Sequence, residues 1–375
     1  MPPWKYLFAL TLVIPVALAA ETRKSLLDFK EHAVSAGYDH DNDGSLDLDW
    51  SKAIQIADDH CRRHGLTLWF PESTYLAYGV RPTCNWEGDN HSSLIKCLKS
   101  KYGEQYTEKT PQPNFSFVRV EGQKDISIKK MAFDGALPVA RTGFDSAADR
   151  SYGDIVGVAC LYMLGCTNVV IEDCEFRNSG RGPGVRIESC GQCKLIECHS
   201  KRSRGDDCGD GFFTTYSDYI EFRDCSAFDF TRGGFVAEVG SKEITFTNCH
   251  ASHGIEHIRS PSAGFYWERS EGIHASGCTV DGPINTGFKI VVDPMVQHND
   301  SMDRFRLFEL SDCVSRVMGT VHEGVSPQHF YIEDNGVACK VNFIHCFYDG
   351  EALVMPLGIT HKSSFLDGKP VKQVP

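Results

Sequence analysis

Four residues of this chain have the types and the spacing to do acid–base chemistry together: Glu238, Tyr266, Glu268 and Lys289. They belong to a recurring pattern. Five glycines, Gly184, Gly211, Gly234, Gly264 and Gly287, each open a short segment whose next residue is apolar: Val185, Phe212, Phe235, Phe265 and Phe288. Along an extended chain side chains alternate between faces, so this apolar column turns inward and the residue after it turns outward. The outward column reads Arg186, Phe213, Val236, Tyr266, Lys289, and two residues further on it reads Glu188, Thr215, Glu238, Glu268, Val291. Stacked strands lie about 4.8 Å apart. Glu238 is therefore expected beside Glu268, and Tyr266 beside Lys289. Carboxylates so placed suit glycoside hydrolysis with retention, which needs about 5 Å between them. A Tyr–Lys pair suits removal of the proton beside a uronate carboxylate, because a neighbouring ammonium is expected to lower the tyrosine pKa. Arg186, or a cation held by Glu238 and Glu268, would neutralise that carboxylate. The plain alternative is a solvated polar face with no chemistry. Val236, pointing outward, is expected to matter far less to stability than Phe235.

Other groups are candidates for binding. The turn Arg204 to Asp210 carries Asp206, Asp207 and Asp210. Arg232 lies just before the Gly234 segment, and the stretch His250 to Arg259 brings His253, His257 and Arg259, histidines being general-base candidates. All are assigned to substrate. Asp39, Asp41, Asp43-Gly44 and Asp47 follow the first nine positions of a calcium loop, but Trp50 stands at position twelve, where a bidentate Glu is expected. Ca2+ is thus the one cofactor expected. The bland reading of that loop is an acidic turn before a helix.

The elements that must position these residues follow from the repeat. Successive glycines are 27, 23, 30 and 23 residues apart. A second column keeps step with them: Cys174, Cys198, Cys225, Cys249, Cys278, Cys313 and Cys346. Units this short cannot hold a strand–helix–strand crossover and show no helical period. They read as two or three short strands with turns, such as Lys194 to Glu197, Tyr219 to Phe222 and Glu243 to Phe246. Coils of this size stack into a parallel β-helix, a solenoid in which each coil completes its neighbour's core. The cysteine column is then expected inside, its thiols packing as small apolar groups. Cys61, Cys84, Cys97, Cys160, Cys166, Cys190, Cys193, Cys208 and Cys339 lie outside the column and are the expected disulfide formers. Residues 49–64 instead have helical spacing with a stop at Gly65, and a helix there would cover the open end of the solenoid.

Asp43-Gly44, Asp47, Ala53-Ile54-Gln55, Ala57 and Phe70-Pro71 followed by Thr74-Tyr75-Leu76 resemble the N-terminal signature of the pectate-lyase-like right-handed parallel β-helix superfamily. Glu72-Ser73 stands where that signature commonly has a glycine. The resemblance implies an all-β, right-handed, single-stranded solenoid with a short capping helix. Its members are lyases, hydrolases, epimerases, esterases and tailspikes, so it implies function weakly. The N-T-D, G-H-G and R-I-K elements of polygalacturonase-like hydrolases are missing. Asp293-Pro294-Met295 departs from the D-P-H of alginate epimerases at its third position. The expectation is therefore a secreted carbohydrate-active enzyme on an acidic, uronate-containing polysaccharide, acting as a lyase by β-elimination or as a uronate epimerase. A hydrolase with paired carboxylates and a non-catalytic glycan-binding surface protein are the alternatives.

Composition fits this picture. Lys5, an apolar run from Leu7 to Val16 and Ala17-Leu18-Ala19 form a signal-peptide pattern over 1–19. The protein is expected to be extracellular, or periplasmic in a Gram-negative host. Beyond the leader, 20–114 should hold the cap and first coils, 115–350 the β-helix and 351–375 a tail. A net charge of −12 argues against nucleic acid, and no later stretch is apolar enough for a membrane. A monomer with a polysaccharide partner is expected. Sequons begin at Asn90, Asn114 and Asn299.

Overall fold

The computed structural model describes residues 22–37, 39, 43, 45–98, 116–135, 159–179, 182–203, 209–254, 262–292, 306–317, 328–333, 339–348 and 351–352. The protein is a parallel β-helix. Eight strands stack in one sheet: Ser116–Glu121, Ala159–Leu164, Val185–Glu188, Phe212–Thr215, Gly233–Glu238, Ala263–Glu268, Thr286–Val291 and Gln328–Glu333. A larger sheet closes the coil. In each central turn of the solenoid it contributes two short strands, for example Glu221–Arg223 and Ser226–Phe230. Each such coil thus has three strands. No described helix is long and apolar enough to cross a membrane.

Both sequence columns have a steric cause. Between the two larger-sheet strands the chain bends through a residue at φ between 50° and 63°: Asp173, Glu197, Asp224, Asn248, Gly277, Asp312 and His345. Asn, Asp and Gly tolerate this left-handed region best, which accounts for four of these positions being Asp or Asn and one Gly. The cysteine that follows turns inward and is buried in every coil. Its thiol donates to the carbonyl two residues earlier and to one in the preceding coil, as Cys225 does to Arg223 and Leu195 at 3.4 Å each. The glycine column marks the opposite corner, where the sheets close together. A Cβ on Gly234 would stand 2.6 Å from the Gly264 carbonyl oxygen and 2.8 Å from the Ala251 Cβ, so no side chain fits.

Inside, Phe212, Phe235, Phe265, Phe288 and Phe330 form a continuous stack, with successive centroids 4.9–5.2 Å apart. The fourteen described cysteines are all thiols, so the bridges expected outside the column are absent among them. The Cys208 and Cys339 side chains lie outside the described residues.

The cap is a helix over Ser51–His64, started by Asp49 Oδ1, which accepts from the Ser51 amide at 2.9 Å, and stopped by left-handed Gly65. Its apolar stripe, Ala53, Ile54, Ala57 and Cys61, packs on Leu26–His32 and Thr67–Phe70. Asp58, fully buried in that stripe, is satisfied by the Thr83 amide and hydroxyl and by Trp86 Nε1 at 2.7 Å.

One expectation needs correcting. Val236 does lie on the outer face, one residue past inward Phe235, yet it is only 1% exposed. Neighbouring side chains on the same face cover it. Val236→Ala should therefore cost about 1–2 kcal/mol, at roughly 0.8 kcal/mol per buried CH2 group. The urea midpoint of the variant measures this; an unchanged midpoint would show that Val236 is in fact exposed.

Candidate functional site

The outer face of the eight-stranded sheet carries the candidate residues in the register expected from the repeat. Glu238 pairs with Glu268, Tyr266 with Lys289, and Arg186 with Phe213. The first outward column, continued at both ends, reads Arg119, Tyr162, Arg186, Phe213, Val236, Tyr266, Lys289 and Tyr331. Cations and rings alternate along it. Arg186 lies 5.7 Å from the Tyr162 ring centre and 5.1 Å from that of Phe213. Lys289 Nζ is 4.5 Å from the centre of Tyr266. The one small residue, Val236, leaves a gap that Arg232 fills from the preceding turn. Its guanidinium sits 5.4 Å from the Phe213 ring and 5.9 Å from the Tyr266 ring, which places it over Val236.

Carboxylates of the second column tie this ladder down. Arg186 donates to Glu188 Oε2 through Nε and Nη2, and Tyr162 donates to the same oxygen at 2.9 Å. Arg232 is held most firmly. Its Nε and Nη2 reach Asp210 at 3.0 and 2.6 Å, and its Nη1 reaches Glu238 Oε1 at 2.8 Å. Asp210 is wholly buried and also accepts the Gly233 amide at 3.0 Å. The Tyr266 hydroxyl donates to Glu268, and Tyr331 repeats that motif with Glu333 at 2.9 Å.

This packing sets the protonation states. Burial drives the Glu238 carboxyl above its ordinary pKa; Asp210 and Glu268 add to the rise, and Arg232 opposes it. Burial also lowers the Lys289 ammonium, against the pull of Glu268 and Glu333. The expectation for Tyr266 is overturned. Burial and its bond to Glu268 push the phenol well above its usual value, outweighing the Arg232 guanidinium. The raised value favours the protonated phenol, opposite to the direction expected from the neighbouring ammonium. Tyr331 shifts the same way, up to about 12, through burial and Glu333.

The remaining candidates part company. Asp210 and Arg232 enter the site, but as a mutual ion pair. Asp206, Asp207, His257 and Arg259 lie outside the described residues. His253 does not line this face: it sits on a strand of the larger sheet, exposed, its ring 4.7 Å from Phe228. In the acidic loop, Asp43 Oδ1 accepts the Ser45 amide at 2.8 Å and Asp39 accepts the Asp43 amide at 3.2 Å, as in a turn. Asp41 is outside the described residues, and no group of three metal-binding side chains occurs among the described residues. The ladder members Arg119, Tyr162, Tyr331 and Glu333 went unnoticed in the sequence. A repeated x-any-Glu pattern, in Arg119–Glu121, Arg186–Glu188, Tyr266–Glu268 and Tyr331–Glu333, was the available signal.

Comparison with known proteins agrees on the architecture. The family model described as a right handed beta helix region matches residues 119–300. A surface protein and adhesin of Streptococcus pneumoniae superposes with a TM-score of 0.52 at 12% identity, over 88% of this chain and 98% of its own. An alginate lyase from Paenibacillus gives 0.51 at 11% identity, over 80% and 95%. A Thermotoga maritima exopolygalacturonase gives 0.50 at 10% identity, over 88% and 92%. No curated protein matches the chain. The family match and these superpositions show the fold, a right-handed parallel β-helix.

Proposed function

We propose that this protein is an exported carbohydrate-active enzyme that hydrolyses a glycosidic bond on the outer face of the eight-stranded sheet. The observation that carries the reading is the Glu238–Glu268 pair. The two residues are in register on adjacent strands, and a strand spacing of about 4.8 Å is compatible with the carboxyl separation of about 5 Å expected of retaining enzymes. Their environments differ. Glu238 is driven toward the neutral acid by burial, whereas Glu268 accepts a hydrogen bond from the Tyr266 hydroxyl. Such divergence between neighbouring carboxyls assigns the roles. Glu238 gives its proton to the leaving oxygen while Glu268 attacks the anomeric carbon. Water, deprotonated by Glu238, then releases the sugar from Glu268. Arg232 and Tyr266 hold the two carboxyls in place.

The charge of the face bears on the substrate. Among the described residues it presents Glu121, Glu188, Asp210, Glu238, Glu268 and Glu333 against Arg119, Arg186, Arg232 and Lys289. Arg81 and Arg269 also pair with Glu121 at 3.8 Å and Glu268 at 3.7 Å, so the six carboxylates are matched by six cations and the face lacks the cationic excess that a dense polyuronate would favour.

A second reading, β-elimination on a uronate, is favoured by Lys289, whose lowered pKa makes a neutral amine base more accessible beside the Tyr266 acid. A panel of neutral glycans, pectate, alginate and glycosaminoglycans separates the two. New reducing ends without ultraviolet absorbance support hydrolysis, absorbance of unsaturated uronates supports elimination, and binding without turnover on every glycan overturns both. Running the panel with and without chelator tests the calcium expected at the Asp39–Asp47 loop.

A further inference from the structure

We propose that Tyr216 and Tyr219 form a sugar-stacking platform at the rim of the outer face, holding one residue of a neutral polysaccharide while Glu238 and Glu268 act on another, a role that rests on glycan hydrolysis at that face. Both tyrosines lie in the turn that leaves the strand Phe212–Thr215 and enters Glu221–Arg223. Thr215, the residue before Tyr216, pairs with Glu238 of the next coil. The Tyr216 ring leans onto the turn that follows Glu238. A Cβ on Gly240 would lie 3.0 Å from Tyr216 Cδ1, so the ring takes up the space that a side chain would need there.

What singles out these tyrosines is the backbone that carries them. In the preceding coils the same turn takes two left-handed residues, Gly122 with Asp125, Gly165 with Asn168 and Ser189 with Gln192, at φ between 53° and 62°. Here the two positions are tyrosine, at φ 48° and 57°. Glycine, Asn and Asp bear this region best and bulky residues poorly. No other tyrosine, phenylalanine or tryptophan among the described residues has a positive φ. Core packing does not account for the choice, because Tyr216 is 50% exposed and Tyr219 62%. Strain retained under an exposed side chain points to a ligand that the side chain serves.

A sugar ring suits such a surface. A pyranose carries C–H bonds on its faces and hydroxyls around its edge, so it packs on an aromatic ring while the hydroxyls stay in water. Tyrosine offers that contact with few side-chain torsions to fix. Polar groups for the hydroxyls stand nearby in the chain and in the adjoining turns. Gln192 is exposed one coil earlier, and Asp218 is exposed between the two tyrosines in sequence. Lys242, one coil later, meets Glu271 at 3.2 Å. Asp218 and Glu271 against Lys242 leave no cationic excess to draw a polyuronate, as on the outer face itself, so the occupant is a neutral glycan.

The test is affinity electrophoresis of the purified full chain through gels holding xyloglucan, galactomannan or arabinoxylan. The double variant Tyr216→Ser/Tyr219→Asn replaces the rings by residue types that the same turn holds elsewhere, at Ser189 and Asn168, so it should melt no lower than the wild type. At least one of these polysaccharides should retard the wild type, and the concentration needed for half-retardation should rise about tenfold in the variant. Equal retardation of the two proteins, or none of the wild type in any gel, would overturn the platform. Equal retardation with new reducing ends would leave the hydrolytic reading standing without the platform. Weakened retardation of the variant with no glycan cleaved would keep the platform and remove the hydrolysis. If the variant does not fold, the wild type decides. Tetranitromethane should nitrate Tyr216 and Tyr219, and the retarding polysaccharide should shield both; nitration unchanged by it would overturn the proposal.

Discussion

Glu268→Gln and Glu238→Gln should each lower turnover of the best glycan substrate by about 10²–10⁴-fold, the usual range for removing a positioned acid or base. The two losses should differ in kind. Glu238 works as an acid, so wild-type activity falls as pH rises through its pKa. Because burial raises that pKa, the alkaline limb lies closer to neutrality than for an ordinary Glu. Glu238→Gln has no proton to lose and should lack this limb. It should also retain more activity on aryl glycosides, whose leaving groups need no protonation. Glu268→Gln removes the group that meets the anomeric carbon and should fail on both kinds of substrate. Melting temperatures should barely move, since the Glu238 and Glu268 side chains stay partly open to solvent at 14% and 21%. Loss of activity in Lys289→Ala, with full activity in both Glu variants and unsaturated product, would transfer the chemistry to elimination. Full activity in Glu238→Gln, Glu268→Gln, Tyr266→Phe and Lys289→Ala alike would move the catalytic face elsewhere.

Asp210→Ala should destabilise the protein by about 3 kcal/mol, at the lower end of the cost of stripping one partner from a buried ion pair. Asp210 is wholly buried and holds two guanidinium nitrogens of Arg232 together with the Gly233 amide. Its loss leaves that amide without its carboxylate acceptor and loosens the guanidinium that covers Val236. The cost stops short of the upper end because Arg232 keeps its bond to Glu238. A lower urea midpoint with an unchanged slope is the expected signature. An unchanged midpoint would show that the pair is open to solvent and that Arg232 is not anchored by it.

The repeat and its registers were legible in the residues, for a local reason. A solenoid coil meets only its neighbours, so Gly234, Phe235 and Cys249 each answer to constraints that recur every coil: a close approach, an inward stack, a bend. Columns of such residues fix which side chains stand next to each other, and Glu238 beside Glu268 and Tyr266 beside Lys289 follow from that alone. The helix over Ser51–His64 was legible for the same reason, from its own period and its stop at Gly65.

Alternation says which way a side chain points but not what lies over it. Val236 points outward and is buried, because the guanidinium of Arg232 reaches across from a turn. Tyr266 stands beside Lys289 as expected, yet its pKa rises. Its hydroxyl reaches two residues along its own strand to Glu268, and burial with that bond outweighs the Arg232 guanidinium. Asp210 reads as one acid in a turn of three, and only its burial beneath Arg232 makes it an anchor. His253 reads as a substrate-binding residue and belongs instead to the larger sheet, against Phe228. The sequence by itself determined the solenoid, its registers and the membership of the outer face, because these depend on short-range periodicity. Depth of burial, ion pairing and protonation were decided only by the tertiary structure, because they depend on long side chains and turns that converge from different coils.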